Sequence, residues 1–114
     1  MPFLLNKDRR IRKTSQYKTI YESGEKRVGR LLLFFCGKPG WYETRVGITV
    51  SGKVGKAYQR NWAKRRIKEA LSVELDPSFP PSDMVFVAKK RILDASFDDI
   101  RKDIRALLSG VHNS

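Results

Sequence analysis

The side chains best suited to chemistry in this sequence are cations concentrated in one stretch. Seven occur there before the next acidic residue, Glu69: Lys53, Lys56, Arg60, Lys64, Arg65, Arg66 and Lys68. Like charges spaced i, i+4 destabilise an isolated helix by about 0.2–0.5 kcal/mol per pair. The run therefore indicates either a solvated helix face or a surface for a polyanion, which would turn the repulsion into attraction.

Helical spacing places most of these cations together. From Ala57 to about Glu74 the apolar residues recur with a helical period, and four of them form one stripe: Ala63, Ile67, Ala70 and Leu71. At 100° per residue, five polar residues fall within an arc of about 140° beside that stripe. We call this set the basic ridge: Arg60, Asn61, Lys64, Arg65 and Lys68.

Two residues of this helix bear on the choice between solvent and polyanion. Asn61 favours the polyanion, because asparagine is a mediocre helix former whose amide can hydrogen-bond a base edge or a 2′-hydroxyl. Trp62 lies about 100° from the apolar stripe, so it is either a stacking surface or a ring packed against a neighbouring loop.

The positive charge is confined to the first two thirds of the chain. The 114 residues include 24 Lys and Arg and 12 Asp and Glu, for a net charge of +12. Residues 1–72 hold 18 basic and 5 acidic residues, whereas residues 73–114 hold 6 and 7. This segregation favours a nucleic acid as partner over a membrane surface or solubility alone.

Length and composition indicate one folded domain, residues 1–114, since 40% of the residues are hydrophobic and 32% are charged. No apolar run approaches the roughly 20 residues that span a bilayer, and Phe3–Leu5 is too short for a signal peptide. The single cysteine, Cys36, cannot form an internal disulfide. We therefore expect a cytoplasmic protein.

The rest of the chain predicts short elements around the central helix. In chain order they are a helix from Thr14 or Ser15 to Gly24, strands at 25–30, 31–36 and 45–51, the helix 57–74, a strand at 84–88 and a helix capped by Ser96. The strands 31–36 and 45–51 are expected to pair antiparallel. Residues 1–13 are expected to be a flexible basic arm, and residues 110–114 a frayed tail.

Residues for protein-based catalysis are not evident. The one histidine, His112, lies in the predicted tail, and the sequence has no Cys/His cluster, paired-acid site or glycine-rich phosphate loop on a suitable element. We interpret the acidic residues near the last helix as solvated or helix-capping groups: Asp94, Asp98, Asp99 and Asp103.

The residues from 45 to 69 resemble the signature of a known family. They read Arg45-Val46-Gly47-Ile48-Thr49-Val50-Ser51, Lys53, Gly55-Lys56-Ala57, Arg60-Asn61, Lys64-Arg65 and Lys68-Glu69. This pattern, with the element order and the basicity, resembles the protein component of bacterial ribonuclease P. The family's Arg-Asn-Arg triplet is here Arg60-Asn61-Trp62, its later arginine is Lys68, and Gly52 stands where a lysine is usual.

The resemblance implies an α+β fold, an α/β sandwich with the order α-β-β-β-α-β-α. Its small mixed sheet would join parallel strands 45–51 and 84–88 by a left-handed crossover through the basic helix, against the usual hand. It also implies a ribonucleoprotein whose catalytic RNA hydrolyses the 5′ leader from precursor tRNA, with Mg²⁺ bound mainly by the RNA. The free protein is expected to be monomeric, with neither DNA nor a membrane as a partner.

By the same resemblance, two surfaces of this chain would bind RNA. Residues implied to bind the catalytic RNA are Lys53, Lys56, Arg60, Asn61, Lys64, Arg65 and Lys68. The leader would pass through a cleft between the first helix and the sheet, and the matching positions there are Tyr17, Tyr21 and Phe35. Aromatic rings suit this role because they stack on any base, although Phe35 is as readily explained as a core residue.

Three alternatives share the charge and size. A ribosomal or other structural RNA-binding protein would have the cations without a leader cleft. A DNA-binding regulator could use the basic helix, but such proteins usually dimerise and the sequence shows no dimerisation element. A self-sufficient nuclease would need catalytic side chains that the sequence does not provide.

Overall fold

The computed structural model describes residues 14–37, 44–75 and 82–112, which form three α-helices and four strands. Their order is α1 (Thr14–Ser23), β1 (Glu25–Val28), β2 (Leu32–Gly37), β3 (Arg45–Thr49), α2 (Ala57–Glu74), β4 (Asp83–Ala88) and α3 (Phe97–His112). The predicted order α-β-β-β-α-β-α is confirmed. A 3-10 helix at Lys90–Asp94 was not predicted, and the predicted arm at 1–13 lies outside the described residues.

Local signals account for the helix boundaries. The Gly24 N–H donates to the Ile20 carbonyl at 2.8 Å where α1 ends, as the sequence predicts. At the start of α3, Ser96 Oγ accepts from the Asp99 N–H at 3.1 Å and the Asp99 carboxylate accepts from the Ser96 N–H at 3.3 Å. This capping box confirms Ser96 as the cap. Helix α3 continues to His112, so it includes the first three residues of the predicted tail at 110–114, and the fraying of that tail stays a prediction.

The four strands form one mixed sheet in the order β1-β2-β4-β3. Strand β4 pairs antiparallel with β2 and parallel with β3, and α2 links the two parallel strands. The parallel pairing is confirmed, whereas the predicted antiparallel pairing of β2 with β3 is wrong. Strands β2 and β3 are close in sequence, which suggested a hairpin. In the sheet, however, β4 lies between them and pairs with β2 along one of its edges and with β3 along the other.

A salt bridge joins the two parallel strands at their first paired residues. Arg45 Nε and Nη2 donate to the Asp83 carboxylate at 3.0 and 2.7 Å, and both side chains are largely buried. The hydrogen bond to Asp83, with its charge, raises the pKa of Arg45 despite the burial. Because this bidentate salt bridge forms only when Arg45 lies opposite Asp83, it favours the observed register of β3 against β4.

The sheet separates two unequal layers. Alternate residues of β2 and β4, among them Phe34 and Phe86, pack with Ile67 of α2 and Ile104 of α3 in the main core. Among the described residues, the opposite face carries α1 alone, whose Ile20 packs against Val85 with half-buried Phe35 and Val87 beside it. A helix of 10 residues is only about 15 Å long, so α1 by itself covers only part of this face of the sheet.

Asp103 of α3 is a structural residue, which corrects its interpretation as a solvated acid. Its carboxylate accepts three backbone N–H bonds from the turn between β1 and β2 and from the first residue of β2: from Arg30 at 2.9 Å, Leu31 at 2.9 Å and Leu32 at 3.1 Å. A Cβ at Gly29 would lie 2.7 Å from this carboxylate, which explains why the turn begins with a glycine. The acid thus fixes α3 to the β1–β2 turn.

We expect Asp103→Asn to lower the free energy of unfolding by about 2–4 kcal/mol, since an amide offers one acceptor oxygen to three donors and leaves backbone N–H groups unpaired. Urea denaturation followed by circular dichroism measures the loss. Asp94→Asn is the matched control, because Asp94 is exposed and should change stability by less than about 0.5 kcal/mol. Equal stability of the two variants would contradict the assigned role of Asp103.

Candidate nucleic-acid interface

Helix α2 presents the basic ridge as one continuous surface. Its apolar stripe is buried as predicted, with Ala63, Ile67, Ala70 and Leu71 in the core. Asn61, Lys64 and Arg65 are exposed, while Arg60 and Lys68 are half-buried at the edges of the ridge. The cations predicted to act together are therefore on one side of a single helix.

The part of the chain that the structure describes does not neutralise the exposed residues of the ridge. Within residues 14–37, 44–75 and 82–112, neither Lys64 nor Arg65 has an acidic side chain within salt-bridge distance. Lys53 and Lys56, which precede the helix, are exposed. By contrast, the cations of α3 are paired, as in Arg105 with Glu74 at 2.6 Å and Lys102 with Asp98 at 3.1 Å. The difference gives α2 the field that attracts an external polyanion.

Trp62 and Arg66 belong to the other flank of α2, which faces α3. Trp62 is half-buried and packs against the main core. The Arg66 guanidinium lies 5.8 Å from the Trp62 ring centre and 5.9 Å from that of Phe97, and its Nη1 is 3.3 Å from Glu69. Of the two alternatives for Trp62, the structure favours packing, because its ring covers the core beneath a cation.

A second candidate surface is the aromatic cleft, which we define as Tyr17, Tyr21 and Phe35. The Tyr17 and Tyr21 rings are 6.3 Å apart, and Tyr21 meets Phe35 edge-on at 4.8 Å. Tyr21 is 40% exposed, whereas Tyr17 and Phe35 are half-buried against Ile20 and Val85. The structure thus brings the three predicted rings together while leaving part of their surface open.

The residues around the cleft suit a single-stranded nucleic acid, which carries both phosphates and flat bases. Lys26 Nζ lies 5.9 Å from the Phe35 ring centre, at the β1 side. Burial, followed by the nearby Tyr21, raises the pKa of Tyr17, so its hydroxyl stays neutral at physiological pH. A phosphate of such a molecule would lie near the Lys26 cation, and its bases would contact the uncharged rings.

Gly47 of β3 gives Tyr17 its place in the cleft. A Cβ at position 47 would lie 2.7 Å from the Tyr17 hydroxyl and 2.8 Å from its ring. Such a distance is far below van der Waals contact, so any larger residue would displace the ring. An isolated glycine in a strand is a recognised sign of close approach, and this sign could have identified Gly47 from the sequence.

The ridge and the cleft are separate surfaces, because α1 and α2 pack on opposite faces of the sheet. Sequence reasoning did not identify Lys26, Gly47 or the exposed Tyr58 of α2, although each lies in or beside a predicted surface. The signal for Tyr58 was an aromatic residue outside the apolar stripe of a basic helix.

Neither a metal cluster nor a membrane span occurs in the part of the chain that the structure describes. It contains no group of three or more His, Cys, Asp or Glu side chains placed to hold a metal ion. None of its helices combines the length and the apolar character needed to cross a bilayer.

Comparisons with a family model and with the sequences of known proteins agree on one family. A family model described as Ribonuclease P matches residues 5–112. The ribonuclease P protein component of Clostridioides difficile strain 630 is 38% identical over 104 residues, which cover 90% of this chain and 91% of the relative. That of Clostridium botulinum strain Loch Maree is 34% identical over 110 residues, covering 94% and 99%.

Solved structures agree with the sequence relatives. The RNase P protein of Staphylococcus aureus superposes with a TM-score of 0.81 at 26% identity, covering 90% of this chain and 94% of that one. The RNase P protein of Thermotoga maritima gives 0.79 at 25% identity, covering 89% and 96%. The similarity thus extends over nearly the whole of each chain.

Proposed function

The chain belongs to the ribonuclease P protein family, and from this membership we propose that it binds both the catalytic RNA and the 5′ leader of precursor tRNA. Family membership makes it a protein component of a tRNA-processing ribonucleoprotein with endonuclease activity. The proposal adds which surface binds which RNA. The observation that carries it is the presence of two distinct surfaces, one of cations and one of rings, on opposite sides of a sheet.

The basic ridge is proposed to bind the catalytic RNA. Its two exposed cations, Lys64 and Arg65, have no salt-bridge partner within the described residues, so their binding to phosphates releases condensed counterions without breaking a salt bridge there. With Lys53 and Lys56 they would lower the repulsion between the catalytic RNA and the substrate. The holoenzyme would then form its substrate complex at lower Mg²⁺ concentration.

The aromatic cleft is proposed to bind the leader. Stacking of a base on a ring contributes about 1–3 kcal/mol and tolerates any sequence. Tyr21 is exposed enough to stack directly, and Tyr17 and Phe35 hold it from two sides. Tolerance of sequence suits a component that assists the processing of many different precursors.

Hydrolysis itself is proposed to take place on the catalytic RNA, and Mg²⁺ bound by that RNA would supply the metal-assisted chemistry. The proposed location of the reaction is the cytoplasm. Every role argued for this chain is one of binding and positioning: its cations hold phosphates, and its rings hold bases. Neither role transfers a proton or forms a bond.

Reconstitution tests the proposed function. The purified protein is expected to stimulate cleavage of precursor tRNA by ribonuclease P RNA at low Mg²⁺ concentration and to favour precursor over mature tRNA. A structural RNA-binding protein would bind the RNA without stimulating cleavage. Binding without stimulation would therefore support that alternative and overturn the proposal.

Gly47→Ala tests the cleft without removing a ring. The added methyl displaces Tyr17, so we expect the holoenzyme to lose preference for precursor tRNA, by at most the contribution of one stacked ring, about 1–3 kcal/mol. The measurement is the ratio of the dissociation constants for precursor and mature tRNA. Gly52→Ala is the matched control, because nothing lies within 4 Å of a Cβ at that position. The same ratio in both variants would argue against the cleft.

A further inference from the structure

Tyr58 is an aromatic residue whose exposure the fold does not explain. It lies in the first turn of α2 and is 69% exposed, more than any other large hydrophobic residue in the described part of the chain. Within the described residues its ring stacks on no other ring and its hydroxyl has no hydrogen-bond partner. The ring therefore contributes little to the core.

The position of Tyr58 joins it to the basic ridge. At 100° per residue it falls about 20° from Arg65 and about 60° from Asn61, and both of these side chains are exposed. Lys56 and Lys53 are exposed just before it in the chain. An exposed ring thus lies at the end of a surface that carries cations and an exposed amide.

We propose that Tyr58 and Asn61 bind one unpaired nucleotide of the catalytic RNA. The base stacks on the Tyr58 ring, and the Asn61 amide, one turn further along α2, hydrogen-bonds its edge or its 2′-hydroxyl. This proposal rests on the proposed function, since it assigns a further contact to the same ridge.

The chemistry of the surroundings selects this occupant. An unpaired nucleotide offers a flat apolar face, polar edges and a phosphate, and the site offers a ring, an amide and cations to match them. An acidic peptide would satisfy the cations but not the ring. A base-paired helix would satisfy the cations but present no free base face to Tyr58.

Two variants of Tyr58 test the proposal by separating the ring from its hydroxyl. Tyr58→Leu keeps an apolar, helix-favouring residue but removes the stacking surface, while Tyr58→Phe keeps the ring. The dissociation constant for ribonuclease P RNA is measured for each variant at several salt concentrations. Val73→Ala is the matched control, since Val73 is 57% exposed on the same helix and outside the ridge.

The expected results differ in affinity and in salt dependence. Tyr58→Leu should weaken binding between about 5-fold and 150-fold, the equivalent of one stacked base, while Tyr58→Phe and Val73→Ala should bind as the wild type does. The slope of log affinity against log salt should stay unchanged in all three, because no cation is removed. Circular dichroism should show the same helix content.

Three outcomes would overturn the assignment: normal binding by Tyr58→Leu, an equal loss in Tyr58→Phe, or a change in the salt slope. The first would show that no base stacks there, the second that only the hydroxyl binds, and the third that the variant disturbs the phosphate contacts. Failure of the wild-type protein to bind ribonuclease P RNA would instead refute the proposed function.

Discussion

A variant with Arg60, Lys64, Arg65 and Lys68 all replaced by alanine is expected to bind the catalytic RNA on the order of a hundred to a thousand times more weakly near 0.1 M salt. Each cation that no longer neutralises a phosphate lowers the slope of log affinity against log salt by about 0.7–0.9, so four replacements should reduce it by about 3. Titration of ribonuclease P RNA at a series of salt concentrations measures both effects.

The exposed pair Lys64 and Arg65 gives a sharper form of this test. Arg60 and Lys68 are half-buried, so their replacement also affects packing, whereas Lys64→Ala with Arg65→Ala leaves the core untouched. We expect the slope to fall by about 1.5 in this double variant. Lys18→Ala with Lys102→Ala removes the same charge from α1 and α3, where each lysine is paired with an acid. If this control variant were weakened as much, net charge rather than the ridge would govern binding.

The double variant Tyr17→Ala and Tyr21→Ala is expected to abolish most of the preference for precursor over mature tRNA. Two stacked bases correspond to about 2–6 kcal/mol, although the partial burial of Tyr17 places the effect toward the lower end. Dissociation constants of the reconstituted holoenzyme for the two tRNAs, measured side by side, report the preference.

Phenylalanine replacements are the matched controls for the tyrosines. Tyr17→Phe with Tyr21→Phe keeps both rings and should keep the preference. Mature tRNA lacks the leader, so its affinity should not change in either double variant. Equal losses on precursor and mature tRNA from the alanine pair would refute the assignment of the cleft to the leader.

Most elements could be predicted from the sequence because local patterns specify them. The stripe from Ala63 to Leu71 follows a helical period, and both Gly24 and Ser96 act within one turn of a helix end. The neighbours of a strand are not specified in this way. Strands β2 and β3 read as a hairpin, but the buried residues of β4 need neighbours on both sides, and β4 therefore separates them.

The candidate surfaces were predictable to a similar degree. Ridge membership follows from helical spacing, whereas the grouping of Tyr17 and Tyr21 with Phe35 came from the resemblance to a family. The role of Asp103 had no local signal, since its three partners are 71 to 73 residues away in sequence. The alternatives for Trp62 likewise depended on where α3 packs.

The sheet order also determines when this protein can fold as it leaves the ribosome. Strand β3 is an edge strand whose one neighbour in the described sheet is β4, and Arg45 pairs with a residue 38 positions later. Helix α2, which carries the basic ridge, therefore leaves the ribosome before β4 has been synthesised. Pairing of such distant segments is slow. The basic helix α2 cannot complete its packing against the sheet until the final third of the chain, which contains β4, has been translated.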